Sequence, residues 1–219
     1  RGLDERSVTA LRWDDGRDLV FAASRAAVDT SGAEVEPPLL FAWTAAGEPA
    51  FPAPAGLPDG AVLSLPAALT APPVASTVPG TLESRLVIGT GDGAVHALGS
   101  TGDAEVDVVW TAATDADTLL AGPLPVIHEM AGWRSIFVLD GDGRGHLLDA
   151  EGAEVGDPLA LLGPGAGAPA APVRVLPAAS GQRRLLLVAS DGLRLVTVDA
   201  DGWVATDLIW MSRIVGEAE

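Results

Sequence analysis

Short apolar runs of four to seven residues, rich in valine, leucine and isoleucine, alternate with glycine, aspartate and serine along the chain. Runs of this length and composition are typical of β-strands, because an ordinary helix needs ten or more periodic residues without glycine or proline. Where Asp-Gly separates two such runs, the pair predicts a β-hairpin whose two turn residues both tolerate a positive φ angle. The pattern therefore predicts an all-β fold built from hairpins.

A unit of two apolar runs, joined by an Asp-Gly turn and closed by a glycine, recurs along the chain. The closing glycines lie 50 residues apart, and the aspartates of the turns keep nearly the same step. A weaker first copy precedes them, in which a polar excursion at 25–38 replaces the tight turn. The repeated residues are Gly102, Gly152 and Gly202, with Asp92, Asp142 and Asp191.

Further apolar segments before and after each hairpin raise the count to four strands per repeat. Four antiparallel strands in a unit of roughly 40 to 50 residues form the blade of a β-propeller. The sequence thus predicts one propeller domain with four four-stranded antiparallel blades. We expect the blades at about 8–54, 61–112, 122–162 and 170–212, followed by a C-terminal tail at 213–219.

The turn region of the second repeat carries a recognisable motif. Gly89–Gly93 reads Gly-Thr-Gly-Asp-Gly and is followed by Val95–Leu98, Thr101–Gly102 and Trp110. This arrangement resembles the pyrroloquinoline-quinone-type (quinoprotein-like) propeller repeat, and the stretch at 41–52 resembles the integrin-type repeats of bacterial secreted proteins. The resemblance extends over nearly the whole chain and implies propeller architecture. Such repeats serve cofactor enzymes and non-enzymatic scaffolds alike, so they imply no particular activity.

Families with this repeat usually close their rings with seven or eight blades, which raises the question of how four blades are completed. Four blades can close alone. Alternatively the chain is half of a larger ring, two copies associate, or the remainder lies elsewhere. An open half-ring exposes apolar blade faces and end strands. We favour a fragment or a partnered half-ring, and expect the partner to be another protein or the second half of the propeller.

Composition narrows the functional classes. The chain has 30 acidic residues against 13 basic ones and a net charge of -17, which argues against a nucleic-acid partner. Cysteine is absent, which excludes disulfides, thiolate metal sites and a cysteine nucleophile. It also excludes the vicinal disulfide of many quinone-dependent dehydrogenases. No run of about 18 apolar residues is free of charges and breaks, so no transmembrane segment is predicted. Family habit and the missing cysteines suggest a periplasmic, secreted or cell-surface protein, and residue usage suggests a bacterial source with a GC-rich genome.

The hairpin at 140–146 contains the best candidate metal ligands, Asp140 and Asp142. Their spacing resembles a calcium loop, in which alternating oxygens surround a hard cation. However, Arg144 occupies the third acidic position and no glutamate closes the loop. A glycine-rich hairpin with solvated aspartates is therefore the preferred interpretation, with calcium as the alternative cofactor.

The histidines are His96, His128 and His146. His96 and His146 stand at equivalent points of neighbouring repeats, so both could line the same part of a channel and hold a metal. A shared packing role that is encoded by the repeat explains the same spacing more economically.

Six tryptophans offer candidate contact surfaces. Trp110 and Trp210 are expected to pack between blades because of their place in the repeat. Trp13 and Trp133 fall outside the regular positions, and we expect them at the surface as partner-binding residues. Three segments rich in proline and alanine are predicted to be loops that could meet a partner. These segments are 53–58, 71–79 and 163–172.

No catalytic or cofactor-binding residue can be nominated. No Gly-x-Ser-x-Gly elbow occurs, and no serine is tied to a histidine by spacing. The sequence therefore predicts a non-catalytic propeller that acts as a protein-interaction or scaffold subunit of a larger assembly. The alternatives are an enzyme with a carboxylate or metal site at the centre of the propeller, and a calcium-stabilised integrin-type binding module.

Overall fold

The fold is all-β, as a computed structural model of the chain shows. Its described residues form four four-stranded antiparallel sheets and one two-stranded ribbon. The predicted propeller with four four-stranded blades is therefore confirmed. No helix among these residues is long and apolar enough to cross a membrane. The structure describes residues 3, 7–28, 34–77, 83–100, 105–128, 133–163, 167–178, 181–190 and 192–210.

Blade 1 contains the first six strands. Four of them form its sheet, in the order β1-β2-β5-β6, and the other two form a separate ribbon between β2 and β5. The predicted polar excursion at 25–38 thus contains that ribbon. The strands are β1 (Thr9–Arg12), β2 (Asp18–Ala23), β3 (Ala27–Val28), β4 (Glu34–Glu36), β5 (Leu39–Thr44) and β6 (Ala61–Ser64).

Blades 2, 3 and 4 each contain four strands that pair in chain order. Blade 2 comprises β7 (Val74–Thr77), β8 (Ser84–Gly89), β9 (Ala94–Ser100) and β10 (Val106–Ala113). Blade 3 comprises β11 (Leu119–His128), β12 (Trp133–Asp140), β13 (Arg144–Leu148) and β14 (Leu159–Ala160). Blade 4 comprises β15 (Arg174–Pro177), β16 (Arg183–Ala189), β17 (Gly192–Asp199) and β18 (Gly202–Trp210).

The boundary between the first two blades differs from the predicted one. The segment at 61–64 was expected to open the second blade, but it forms the fourth strand of blade 1, where Leu63 pairs with Leu40 and Ala61 with Phe41. Blade 2 begins at Val74 instead. An apolar run shows that a strand forms but not which neighbour it pairs with, because pairing depends on distant residues.

The Asp-Gly hairpins of blades 2 and 3 close with a three-residue turn. In blade 2, the amide of Thr90 donates to the carbonyl of Ala94 at 2.9 Å, and the amide of Gly93 donates to that of Thr90 at 3.2 Å. Gly93 has φ of 82°, and Gly143 of the blade 3 hairpin has φ of 80°. This is a type I turn followed by a left-handed glycine. In these two hairpins the left-handed position thus falls on the glycine, and the predicted two-residue turn does not form.

Three apolar clusters lie between successive blades. The first joins blades 1 and 2, the second joins blades 2 and 3, and the third joins blades 3 and 4. The first strands of the blades lie side by side, β1 beside β7 and β7 beside β11, so they are the inner strands of the propeller. Among the described residues no cluster joins blade 4 to blade 1. In the described part of the chain, the blades thus pack in series from blade 1 to blade 4, and we call this arrangement the arc.

A polar contact also bridges each interface between blades. In every case a side chain at the start of the second strand of a blade reaches the inner strand of the preceding blade. The sequence offered a signal for these contacts, because two of the donors are arginines 49 residues apart. The contacts are Ser84 Oγ to the Arg12 carbonyl (2.6 Å), the Arg134 guanidinium to the Thr77 hydroxyl, and Arg183 Nε to the Ile127 carbonyl (2.7 Å).

Candidate functional site

An apolar pocket of about 550 Å³ opens at the centre of the arc, between the inner strands of blades 2, 3 and 4. Its lining comes from three segments, at 70–74, 120–124 and 169–173, that lead into or begin those strands. Each segment contributes a proline, and the prolines recur at about the repeat length: Pro72, Pro123 and Pro172. We call this pocket the central pocket.

Proline suits these positions because the inner strand of a blade is an edge strand. An edge strand has one side without a hydrogen-bonding neighbour, so the missing proline N–H removes no ladder bond there. Two of the segments predicted to be loops, 71–79 and 163–172, contribute to this pocket, but 74–77 of the first is strand β7 and not a loop. The third predicted loop, 53–58, lies in blade 1 and does not line the pocket. The contribution of 120–124 was not predicted, although the spacing of the prolines could have revealed it.

Exposed aspartates stand at the same end of the blades as the central pocket. The hydroxyl of Thr70, in the pocket wall, donates to the carbonyl of Gly89 at 3.2 Å, directly before the blade 2 turn. The loop at 114–118 lies between the turns of blades 2 and 3, since the amide of Gly141 donates to the carbonyl of Thr118 at 2.8 Å. The turns and this loop carry four exposed acids, which we call the acidic rim: Asp92, Asp115, Asp117 and Asp142.

A polar cluster with two buried side chains, Asp140 and His146, holds the hairpin of blade 3. His146 Nε2 lies 3.0 Å from Asp140 Oδ2, and His146 Nδ1 lies 2.8 Å from Glu154 Oε1. The second oxygen of Asp140 accepts the amides of Asp142 at 3.0 Å and Arg144 at 2.8 Å. The Asp140 side chain is 0% exposed and that of His146 is 5% exposed. The cluster therefore ties β12, β13 and the turn between them together.

This arrangement places the predicted calcium ligands in different surroundings. Asp140 is buried, with its carboxylate facing turn amides and a histidine ring, while Asp142 is exposed on the acidic rim. In the described part of the chain, no group of three or more histidines or acids is placed to hold a metal ion. The burial of Asp140 and His146 also separates them from any substrate in solvent, which favours a structural role for the cluster.

His96 occupies the equivalent place in blade 2, with hydroxyl groups in place of carboxylates. Its Nε2 lies 3.2 Å from Thr90 Oγ1, and its Nδ1 lies 3.0 Å from Thr111 Oγ1. Burial lowers the pKa of His96, and the nearby Asp92 carboxylate opposes this in part. Each of the two histidines is thus bonded within its own blade. The side chain of His128 lies outside the described residues.

The prediction that Trp13 lies at the surface is wrong. Trp13 is 3% exposed and packs in the first apolar cluster, with its ring centroid 5.5 Å from that of Phe21 and 5.8 Å from that of Phe51. The reason is the turn after β1, in which the Trp13 amide donates to the carbonyl of Arg17 at 2.8 Å and the indole covers the end of the core. The side chain of Trp133, the other predicted contact residue, lies outside the described residues.

The prediction that Trp110 packs between blades agrees with its contacts. Its indole N–H donates to the carbonyl of Ala150 in blade 3 at 2.8 Å. Its ring lies against Gly152, where an added Cβ would come within 2.6 Å of the ring. Trp203 of blade 4 makes a similar contact with blade 3, through a 3.0 Å bond to the carbonyl of Asp157. The Trp210 side chain lies outside the described residues.

No family model and no curated protein matches the chain. Among solved structures it is similar to BBS1N, in a crystal structure of BBS1N in complex with ARL6DN, with a TM-score of 0.53 and 10% identity. The match covers 92% of this chain and 53% of that one, so the chain spans about half the length of the BBS1N structure. A crystal structure of a candidate hydrolase from Bacteroides ovatus ATCC 8483 has a TM-score of 0.36 and 8% identity, over 94% of this chain and 69% of that one. A TM-score this low supports no conclusion about the fold or function of this chain. BBS1N is a β-propeller, so the first supports the fold, while the quinoprotein or integrin type remains a prediction.

Proposed function

We propose that the chain is a non-catalytic β-propeller unit that binds a protein partner at the central pocket. The observation that carries this proposal is the pocket itself, an apolar hollow of about 550 Å³ built by equivalent segments of three blades. Its lining is apolar apart from small polar groups such as the Thr70 hydroxyl, so it suits a nonpolar anchor side chain of a partner. The crystal structure of the similar propeller BBS1N in complex with ARL6DN is consistent with a role in protein binding.

The acidic rim indicates what should surround that anchor. Exposed carboxylates beside an apolar pocket steer a partner that carries basic groups, and they exclude acidic competitors. The net charge of -17 adds to this negative field. The partner segment expected here has an apolar anchor flanked by lysine or arginine.

The test compares three variants in affinity capture with chemical cross-linking. Ala171→Arg places a long cation in the pocket wall, and Asp117→Arg reverses a rim charge. Glu48→Arg makes the same charge change at an exposed turn at the other end of blade 1 and serves as the matched control. A partner should be captured by the wild type and Glu48→Arg, be lost with Ala171→Arg, and cross-link beside the pocket.

The identified partner is then titrated against each purified variant at several salt concentrations. Asp117→Arg should lower the association rate and reduce its dependence on salt, because rim charges act mainly on the encounter. Identical capture by the wild type and Ala171→Arg, or cross-links that map to the outer strands, would contradict the proposal.

A further inference from the structure

The three interfaces inside the arc follow one scheme. Each blade turns one face toward the preceding blade, which we call its front, and the other toward the next blade, which we call its rear. In blade 2 the front contributes Leu86 and Ile88 to the cluster with blade 1, and the rear contributes Val87 and Val95 to the cluster with blade 3. Every interface thus joins the rear of one blade to the front of the next.

The rear of blade 4 is built like the buried rears, but among the described residues no apolar cluster covers it. Phe137, on the rear of blade 3, is 0% exposed. Leu186 and Val188 point away from the cluster that blade 4 shares with blade 3, and both are half-buried, although the alternate residues of the same strand are buried. Their cross-strand partners Leu195 and Leu193 are also half-buried. Four aliphatic side chains therefore form an open apolar face.

The front of blade 1 is the matching open face. Val20 and Trp43 are cross-strand partners and are half-buried, whereas Leu86 and Leu98, which pair on the front of blade 2, are both 0% exposed. Phe41 stacks on Trp43 with 5.3 Å between the ring centroids and an interplanar angle of 1°. This front carries the aromatic area that a blade interface would bury.

The charges at the edges of the two open faces are complementary. At all three internal interfaces, a residue at the start of the second strand forms the polar bridge to the preceding blade. In blade 1 the residue at this position is Asp18, which is exposed. If blade 1 of a second copy followed blade 4, its Asp18 would lie beside β15, the inner strand of blade 4. Exposed Arg184 pairs across strands with Leu176 of β15, and Arg174 of the same strand is also exposed. Both halves of the complementary pair belong to this chain.

We propose that the rear of blade 4 binds the front of blade 1 of a second copy of this chain, giving a ring of eight blades with twofold symmetry. A contact between two different faces closes into a ring when the rotation allows it, and a twofold ring buries both open faces of both copies. The similarity to BBS1N fits this arrangement, because this chain covers only 53% of that propeller structure, and a second copy would supply about the remaining length. This inference does not depend on the partner proposed for the central pocket.

The first test is the native mass of the purified chain, measured by sedimentation equilibrium. Ionic strength is held at about 0.15 M, where the Debye length is about 8 Å and screens the repulsion between two acidic copies. The expected mass is twice the 22.2 kDa of the chain. A monomer at the highest soluble concentration, or a mass that grows without limit, would overturn the proposal.

Charge substitutions then identify the faces. Val20→Glu on the front and Val188→Glu on the rear should each weaken self-association by at least about 100-fold, because each buries an unpaired carboxylate in an apolar interface. Val204→Glu makes the same change on the outer strand, where the valine is already 48% exposed, and should leave the dimer intact. An equal mixture of the two face variants should regain dimer, since one intact rear and one intact front remain. A mixture that stays monomeric would overturn the proposal.

Cross-linking keeps the proposal falsifiable if a face variant does not fold. The chain has no cysteine, so Asp18→Cys and Arg184→Cys each introduce one thiol at an exposed position. A short bis-maleimide should join an Asp18→Cys chain to an Arg184→Cys chain, and it should not join Asp18→Cys to Val204→Cys. Equal yields from the two pairs would refute the face-to-face arrangement.

Discussion

Replacing Asp140 by alanine should destabilise the fold much more than removing the exposed Asp142 carboxylate from the same hairpin. The substitution removes two hydrogen bonds from turn amides to a carboxylate, each worth about 1.5–3 kcal/mol. It also removes the contact of that carboxylate with His146 Nε2 at 3.0 Å, a third hydrogen bond to a charged group in a buried site. These terms overlap because they share one side chain. We expect a total loss of about 3–5 kcal/mol in the free energy of unfolding.

Urea denaturation followed by tryptophan fluorescence measures this loss. Asp142→Ala is the matched control, because it removes an exposed carboxylate two residues away in the same turn and should cost no more than about 0.5 kcal/mol. Asp140→Asn separates charge from shape, since the amide oxygen still accepts both turn amides, and its loss should be intermediate. The reasoning is refuted if Asp140→Ala unfolds within about 1 kcal/mol of Asp142→Ala.

Three further predictions follow from glycine, tryptophan and histidine contacts. Gly143→Ala should lower the free energy of unfolding more than Gly47→Ala. Both residues have φ near 80°, so both variants carry backbone strain of about 1–2 kcal/mol, but only at Gly143 would the new Cβ meet a leucine, at 2.7 Å. The difference between paired thermal melts measures the cost of this clash. Trp110→Phe should cost about 1 kcal/mol through its lost bond to Ala150, measured in urea, and an unchanged midpoint would count against a role for that bond. The pKa of His96 is lowered in the folded state from its ordinary value of 6.5, so below that pH the unfolded chain binds more protons than the folded one. Stability should therefore fall as the pH drops through that region. The His96→Gln variant should show a flatter pH profile, and parallel profiles would contradict this assignment.

The regular features of the fold were predictable because they are encoded locally. A strand needs only a short apolar run, and the blade 2 hairpin needs only a glycine at the position where Gly93 adopts a left-handed conformation. Repetition then multiplied the signal, since the same pattern appears three times at one spacing. Fold class and blade number follow from these local rules.

What could not be predicted depends on residues that are distant along the chain. Val62, in the segment that was assigned to the wrong blade, is buried in the cluster that also holds Leu40 of blade 1. Trp13 was expected at the surface because it breaks the repeat, yet the first apolar cluster covers it. Burial is decided by which elements meet, and composition along the chain does not contain that information.

The central pocket is an intermediate case. Its three segments were visible as separate features, and two of them were marked as loops. Their convergence follows from the arrangement of inner strands around one axis. Proline spacing would have shown it, because Pro72, Pro123 and Pro172 keep the step of the repeat.

The neighbour-to-neighbour packing of the blades also governs how the molecule loses and regains structure. In proteins built from stacked units, stability is approximately a sum of unit terms and contacts between adjacent units. Among the described residues, blades 2 and 3 each have two such contacts, while blades 1 and 4 have one. In the separate chain, amide protons in blades 1 and 4 should therefore exchange first, and opening should advance inward one blade at a time. For the same reason, a whole unit could be duplicated or deleted within the gene without redesign of the remaining interfaces.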